Sequence, residues 1–180
     1  WMDAPSLKDA YKDLFDYFGI AVGLKGELNT SDGQIGLERQ ASSITMGNEM
    51  KPDFLFAWKR PNTMCGFVAE DGNTYQVPDN LPIFSDVRMI LLMARSLGIQ
   101  MRGHVLVWHS QTPKWFFKEN YSTDANAAYV DKATMTARQE WYIKSVLDYV
   151  RTWEEENNGG KRIITTWDVV NEAVADGAGG

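Results

Sequence analysis

The 180-residue sequence has one cysteine, two histidines, six prolines and no long hydrophobic run. A lone cysteine, Cys65, cannot close an intrachain disulfide, so cysteine usage says little about the redox compartment. The longest strictly apolar run, Met89 to Ala94, falls far short of the roughly 20 residues that a membrane helix requires. Lys and Arg number 18 against 24 Asp and Glu, for a net charge of −6, and no basic cluster interrupts the mixture. Nucleic acid and membrane surfaces are therefore not expected partners. The sequence opens on Trp1 and contains no signal peptide, which fits a processed or partial chain.

What is present is a core. Hydrophobic residues make up 44% of the chain and aromatics 12%, enough for one globular unit over residues 1–180. Seven tryptophans include Trp108, Trp115, Trp141, Trp153 and Trp167 in the second half. An indole of this kind either fills a core or offers its face to the apolar face of a pyranose, and position decides between the two.

Apolar spacings of three and four over Ser6 to Phe18 predict a helix capped by Ser6 and ended by Gly19. Ile20 to Leu24 and Ser42 to Met46 read as strands with a short helix between them. Residues 59–82 hold three of the prolines and read as a long irregular excursion. A helix then starts at Ser85 and stops at Gly98, with Val87, Ile90, Leu91, Ala94 and Leu97 on one face. Ile99 to Trp108 reads as a doubly buried strand. Another helix follows with Ile143, Val146, Leu147 and Val150 as its stripe, ending at Asn157 to Gly160, before a strand over Ile163 to Val170. Strands alternating with helices predict an α/β fold with a parallel sheet, and four such units are half of a (β/α)8 barrel. A four-strand arc has two open edges, so something else is expected to complete the sheet.

Three segments place polar groups at strand ends. Gly47-Asn48-Glu49-Met50-Lys51 follows the second strand, His104 to Gln111 lies at the end of the third, and Asn171-Glu172 ends the fourth. Taken singly, each is also what a solvated loop or the cap of a following helix looks like. In an extended strand His104 and Trp108 share a face while His109 falls on the other, so the two histidines are not expected to chelate one ion. Together, the amide, ammonium, imidazole, indole and carboxyl groups suit a polyhydroxylated ligand.

Asn-Glu-Met-Lys-Pro at 48–52, Arg-Gly-His-Val-Leu-Val-Trp-His-Ser-Gln-Thr-Pro at 102–113 and Trp-Asp-Val-Val-Asn-Glu-Ala at 167–173 resemble the N-terminal half of a family 10 glycoside hydrolase, the endo-β-1,4-xylanases. The resemblance runs from about residue 6 to the last residue, in the order and at spacings comparable to that family. It implies a (β/α)8 TIM barrel of which this chain supplies about four strands, a retaining mechanism, no required metal or organic cofactor, xylan or xylo-oligosaccharide as substrate, and a secreted or periplasmic setting. It implies that Glu172 is the general acid/base and that Asn48, Lys51, His104, Trp108, Gln111 and Asn171 bind the sugar on the glycone side. Two departures stand out. Gly47 occupies a position where the family usually has Glu, and the family's nucleophilic Glu lies on a later strand that this chain does not contain.

Retaining hydrolysis requires two carboxyl groups about 5 to 5.5 Å apart, one protonated and one ionised. Asp168 lies four residues back along the strand from Glu172, about 13 Å at the usual strand rise, too far to pair with it. Glu49 sits two strands away. The expectation is therefore a barrel half that carries the acid, with a second polypeptide supplying the nucleophile. The rival readings are a β-glucanase or cellulase on a related barrel and a non-catalytic xylan-binding protein.

Overall fold

The computed structural model describes residues 4–174. Its centre is a four-stranded parallel sheet: β1 (Gly19–Val22), β2 (Ser43–Met46), β5 (Gln100–Gly103) and β7 (Ile164–Trp167), side by side in that order. The register pairs Ile44 with Met101, Thr45 with Arg102, and Arg102 with Thr166, so like positions line up on each face. Ile44, Met46 and Met101 are buried on the face that packs under the helices. On the other face Ser43, Thr45, Arg102 and Thr166 line an open groove. The strands are the arc of a barrel, with its polar interior on one side and its hydrophobic outer layer on the other.

Local chemistry starts and stops the helices. Thr30 caps α2 (Ser31–Gln40) by accepting from the Gly33 N–H at 3.1 Å, and Pro52 opens the short α3 (Pro52–Leu55). Gly98 and Gly159, both left-handed, end α4 (Ser85–Leu97) and the 27-residue α5 (Lys132–Asn158). In α5, Glu140 and Lys144 form the expected i,i+4 pair at 2.5 Å. Val146 and Val150 are buried as the periodicity predicts, but Leu147 is exposed, and the inward face is completed by Trp141, Tyr142 and Trp153. Phe56 is fully buried against Trp115, Phe116, Trp141 and Tyr142, so Trp115 and Trp141, like the buried Trp153, are core residues rather than ligand platforms.

Three elements differ from the sequence reading. The helix expected over Ser6 to Phe18 is only α1 (Leu7–Tyr11): Ser6 caps it, but the Leu14 and Phe15 N–H groups both turn back to the Tyr11 carbonyl. Leu14 and Phe15 stay exposed at 70% and 58%, and among the described residues α1 packs chiefly against α2. Residues 59–82 are not irregular. They hold an antiparallel hairpin, β3 (Met64–Val68) with β4 (Thr74–Pro78), turned at Gly72 with φ of 82° and tied down by Tyr121, whose hydroxyl donates to the Gln76 carbonyl. Burial pushes the Tyr121 phenol up to about 12. Finally, the strand expected over Ile99 to Trp108 breaks after β5 and resumes as β6 (Val107–Trp108), and the strand expected over Ile163 to Val170 resumes after β7 as β8 (Val170–Asn171). Val105 and Leu106, between the two pieces, are buried rather than part of the sheet.

Candidate active site

The polar segments converge because each follows the C-terminal end of a parallel strand. β6 and β8 form a separate parallel ladder that pairs Trp108 directly with Asn171, which places the indole beside the next residue, Glu172. Trp108 Nε1 donates to Glu172 Oε2 at 2.7 Å. His109 Nε2 lies 3.8 Å from the same oxygen. Alternation along one continuous strand had placed His109 on the opposite face. β6 ends at Trp108, so His109 follows no strand alternation and its ring lies on the same side as the Glu172 carboxylate. Glu172 has φ of 51°, a left-handed conformation uncommon outside glycine that recurs at functional positions.

Two strands away, the second cluster is built on Lys51, which is only 8% exposed. Its ammonium donates to Asn48 Oδ1 at 3.0 Å and Gln111 Oε1 at 2.7 Å, and lies 5.1 Å from the centre of the Trp108 ring. Gln111 is also left-handed, with φ of 45°, and its carbonyl accepts from the Asp53 N–H at 3.0 Å. Asp53, to which no sequence pattern drew attention, is 2% exposed beside this cluster. Burial raises its pKa above the ordinary 3.8, outweighing hydrogen bonds from the Phe54 N–H and the Gln111 side chain and the charge of Lys51. The Lys-Pro-Asp order was the available signal: a proline at the first helical position puts the next side chain under the lysine.

His104 links the two clusters. Its ring lies 6.2 Å from that of Trp108, and its Nδ1 is 2.8 Å from Asp168 Oδ2. The sequence reading weighed Asp168 only as a nucleophile. The structure gives it another engagement, with Arg102 donating from Nε at 3.0 Å and from its terminal nitrogen at 2.5 Å. Burial alone would raise the Asp168 pKa, but the hydrogen bonds from His104 and Arg102 hold it below the ordinary carboxylate value. Glu49 is occupied as well. Its Oε1 accepts from the Leu24 N–H at 2.7 Å, bracing the end of β1. Gly47 is not required by space, since a Cβ there would meet only the Val22 carbonyl oxygen, at an ordinary 3.5 Å. Among the described residues, no three His, Cys, Asp or Glu side chains gather as a metal centre.

The fold is thus an arc of a (β/α)8 barrel carrying an acid, an imidazole, an ammonium and an indole at one end of its strands, the layout of a sugar-processing barrel. The chain belongs to glycosyl hydrolase family 10, whose profile matches residues 6–180. It is 39% identical over 173 residues to endo-1,4-beta-xylanase B of Butyrivibrio fibrisolvens, covering 96% of this chain and 24% of that protein. To endo-1,4-beta-xylanase A of the same organism it is 33% identical, covering 90% of this chain and 41% of the relative. Among solved structures, the intracellular xylanase of Thermoanaerobacterium saccharolyticum superposes with a TM-score of 0.72 at 28% identity, over 98% of this chain and 46% of that one. A Clostridium thermocellum xylanase module complexed with xylohexaose gives 0.68 at 32% identity, over 96% of this chain and 29% of that one. The chain therefore spans less than half the length of each of these relatives.

Proposed function

We propose that this chain is the acid-bearing part of an endo-β-1,4-xylanase that cleaves xylan with retention of configuration. The observation that carries the reading is the 2.7 Å bond from Trp108 Nε1 to Glu172 Oε2, with the Lys51 cluster on the other side of the same indole. An indole N–H only donates, so Oε2 is held as an acceptor and Oε1 is left to carry the transferable proton. In the first step Glu172 protonates the glycosidic oxygen as the bond to the anomeric carbon breaks and a second carboxylate attacks that carbon. In the second step Glu172 takes a proton from water as the water oxygen attacks the same carbon and frees the nucleophile. Asn171 is placed to bond the sugar 2-hydroxyl, while Asn48, Lys51, His104 and Gln111 bind the hydroxyls of the preceding sugars and Trp108 forms the wall.

The attacking carboxylate comes from a second polypeptide that completes the barrel. Glu49, Asp53 and Asp168 are each engaged elsewhere, and among the described residues β1 and β7 have one sheet neighbour each. Glu172→Gln, assayed together with the completing polypeptide, tests the acid role: xylan hydrolysis should fall by at least about 100-fold while xylotriose binding persists. Unchanged hydrolysis would remove Glu172 from the mechanism, and absence of hydrolysis in both proteins even with that polypeptide present would favour a xylan-binding role. Faster turnover of a soluble cellulose than of xylan would move the substrate to glucans. Native mass spectrometry tests the partnership, and a solitary 20.4 kDa species with full xylanase activity would sink it.

A further inference from the structure

Asp168 is a half-buried acid that neither cluster uses directly, yet its two carboxylate oxygens are divided between two basic groups. Oδ1 accepts both bonds from Arg102, and Oδ2 faces His104 Nδ1 at 2.8 Å. The pair is mostly shielded, with side-chain exposures of 19% for His104 and 16% for Asp168. The backbone fixes their relation too: the Asp168 N–H donates to the Gly103 carbonyl at 3.0 Å, and the Asp168 carbonyl accepts from the Leu106 N–H at 3.1 Å. Asp168 thus grips the segment carrying His104 on both sides. A third constraint comes from Gly103, where a Cβ would lie 2.3 Å from the Trp167 ring, so any side chain there must displace that ring.

A carboxylate that already accepts from a guanidinium can only accept from the imidazole, which requires the proton on Nδ1. Neutral imidazole then leaves Nε2 as its acceptor, and among the described residues no group bonds Nε2. We propose that Asp168, held by Arg102, is the positioning residue that fixes His104 as the Nδ1–H tautomer and presents Nε2 as an acceptor for a sugar hydroxyl. The sugar half of this statement rests on the function proposed above. The tautomer half does not.

The chain has only two histidines, His104 and His109, so nitrogen-15 NMR of the unliganded chain gives two resolvable imidazoles, with His109 as internal control. His104 should show a pyrrole-type Nδ1 and a pyridine-type Nε2. In Asp168→Asn the amide oxygen will turn to Arg102 and its NH2 to Nδ1, so the two resonance types should exchange while those of His109 stay in place. Asp168→Glu keeps the acceptors and should keep the Nδ1–H form. A pyridine-type Nδ1 in the native chain, or an unchanged His104 spectrum in Asp168→Asn, overturns the proposal. If Asp168→Asn fails to fold, the native and Asp168→Glu spectra still decide it. Xylotriose titration reads the sugar half separately: affinity should weaken about tenfold in Asp168→Asn, the worth of one charge-assisted bond. Exchange of the tautomers with unchanged xylotriose affinity would overturn the sugar half alone. Absence of xylotriose binding to the native chain would count against the proposed function instead.

Discussion

The two ends of the cleft are built differently. At the lysine end, Lys51 and Asp53 are almost fully buried and the Lys51 ammonium is held by the side-chain oxygens of Asn48 and Gln111. At the acid end, the Glu172 side chain is 49% exposed and that of His109 is 70% exposed. The lysine end is assembled by a continuous stretch of loop and helix start, Asn48 to Asp53, closed by Gln111, so its packing is local and complete. The acid end depends on a two-residue ladder, β6 with β8, at the open side of the arc. The difference teaches that a sugar-holding surface can be preorganised by one side of a barrel, while an acid needs walls from both sides before burial can tune it.

The comparison can be broken most directly at Lys51. Replacing it with Met removes two charge-assisted hydrogen bonds and leaves Asp53 buried without its neighbouring cation, so urea unfolding should show a loss of about 2–3 kcal/mol. Glu172→Gln should change the same measurement by no more than about 0.5 kcal/mol, as for other substitutions at accessible positions. Equal losses for the two variants would erase the distinction between the ends. The next effect is Gly103→Ala, whose methyl group must displace the Trp167 ring. Overpacking of this kind costs about 1–3 kcal/mol, and Trp167 fluorescence should shift with it.

The smallest effect is the sharpest, because it has opposite signs at two acids. The folded state raises the pKa of Asp53 above 3.8, so it binds that proton more tightly than the unfolded chain, and the Asp53 contribution declines as pH rises through the raised value. The folded state lowers the pKa of Asp168, so its contribution is present above 3.8 and is lost as pH falls towards the lowered value. Urea midpoints followed across the acid range should therefore lose their alkaline-going decline in Asp53→Asn and their acid-going decline in Asp168→Asn. Slopes that change in the same direction would show that the two carboxylates do not differ as described.

Much of this was legible in the sequence because strand ends are where barrels collect polar groups. Strand-like runs followed by Asn48, by His104 to Gln111 and by Asn171 place polar groups at three strand ends, and the structure brings those groups to one end of the sheet. The hairpin was hidden by its prolines and loop-like composition, although Cys65 and Phe67 alternating with Gly66 and Val68 ahead of Asp71-Gly72 carried a period-two signal. The break after Gly103 was not legible at all. Val105, Leu106 and Val107 satisfy a strand pattern, whereas the chain leaves the sheet after Gly103 and pairs again only at Val107 and Trp108, beside Val170 and Asn171. The N-terminal helix failed for the opposite reason: its spacing was right, but periodicity says nothing about whether a surface exists to receive the apolar face.

Glu154, at the far end of the molecule from the chemistry, is 1% exposed and accepts from the Ile163 and Ile164 N–H groups at 2.7 and 3.1 Å, with Arg162 bonded to its other oxygen at 2.8 Å. That carboxylate anchors the first residues of β7 to α5 and so selects which side chains of the strand face inward. A strand has a period of two, so a slip of one residue at the foot of β7 would exchange its faces, turning Thr166 out of the groove it lines with Arg102. The polar floor beneath the acid is thus set at the base of the barrel, as the foot of a lever sets the direction of its tip.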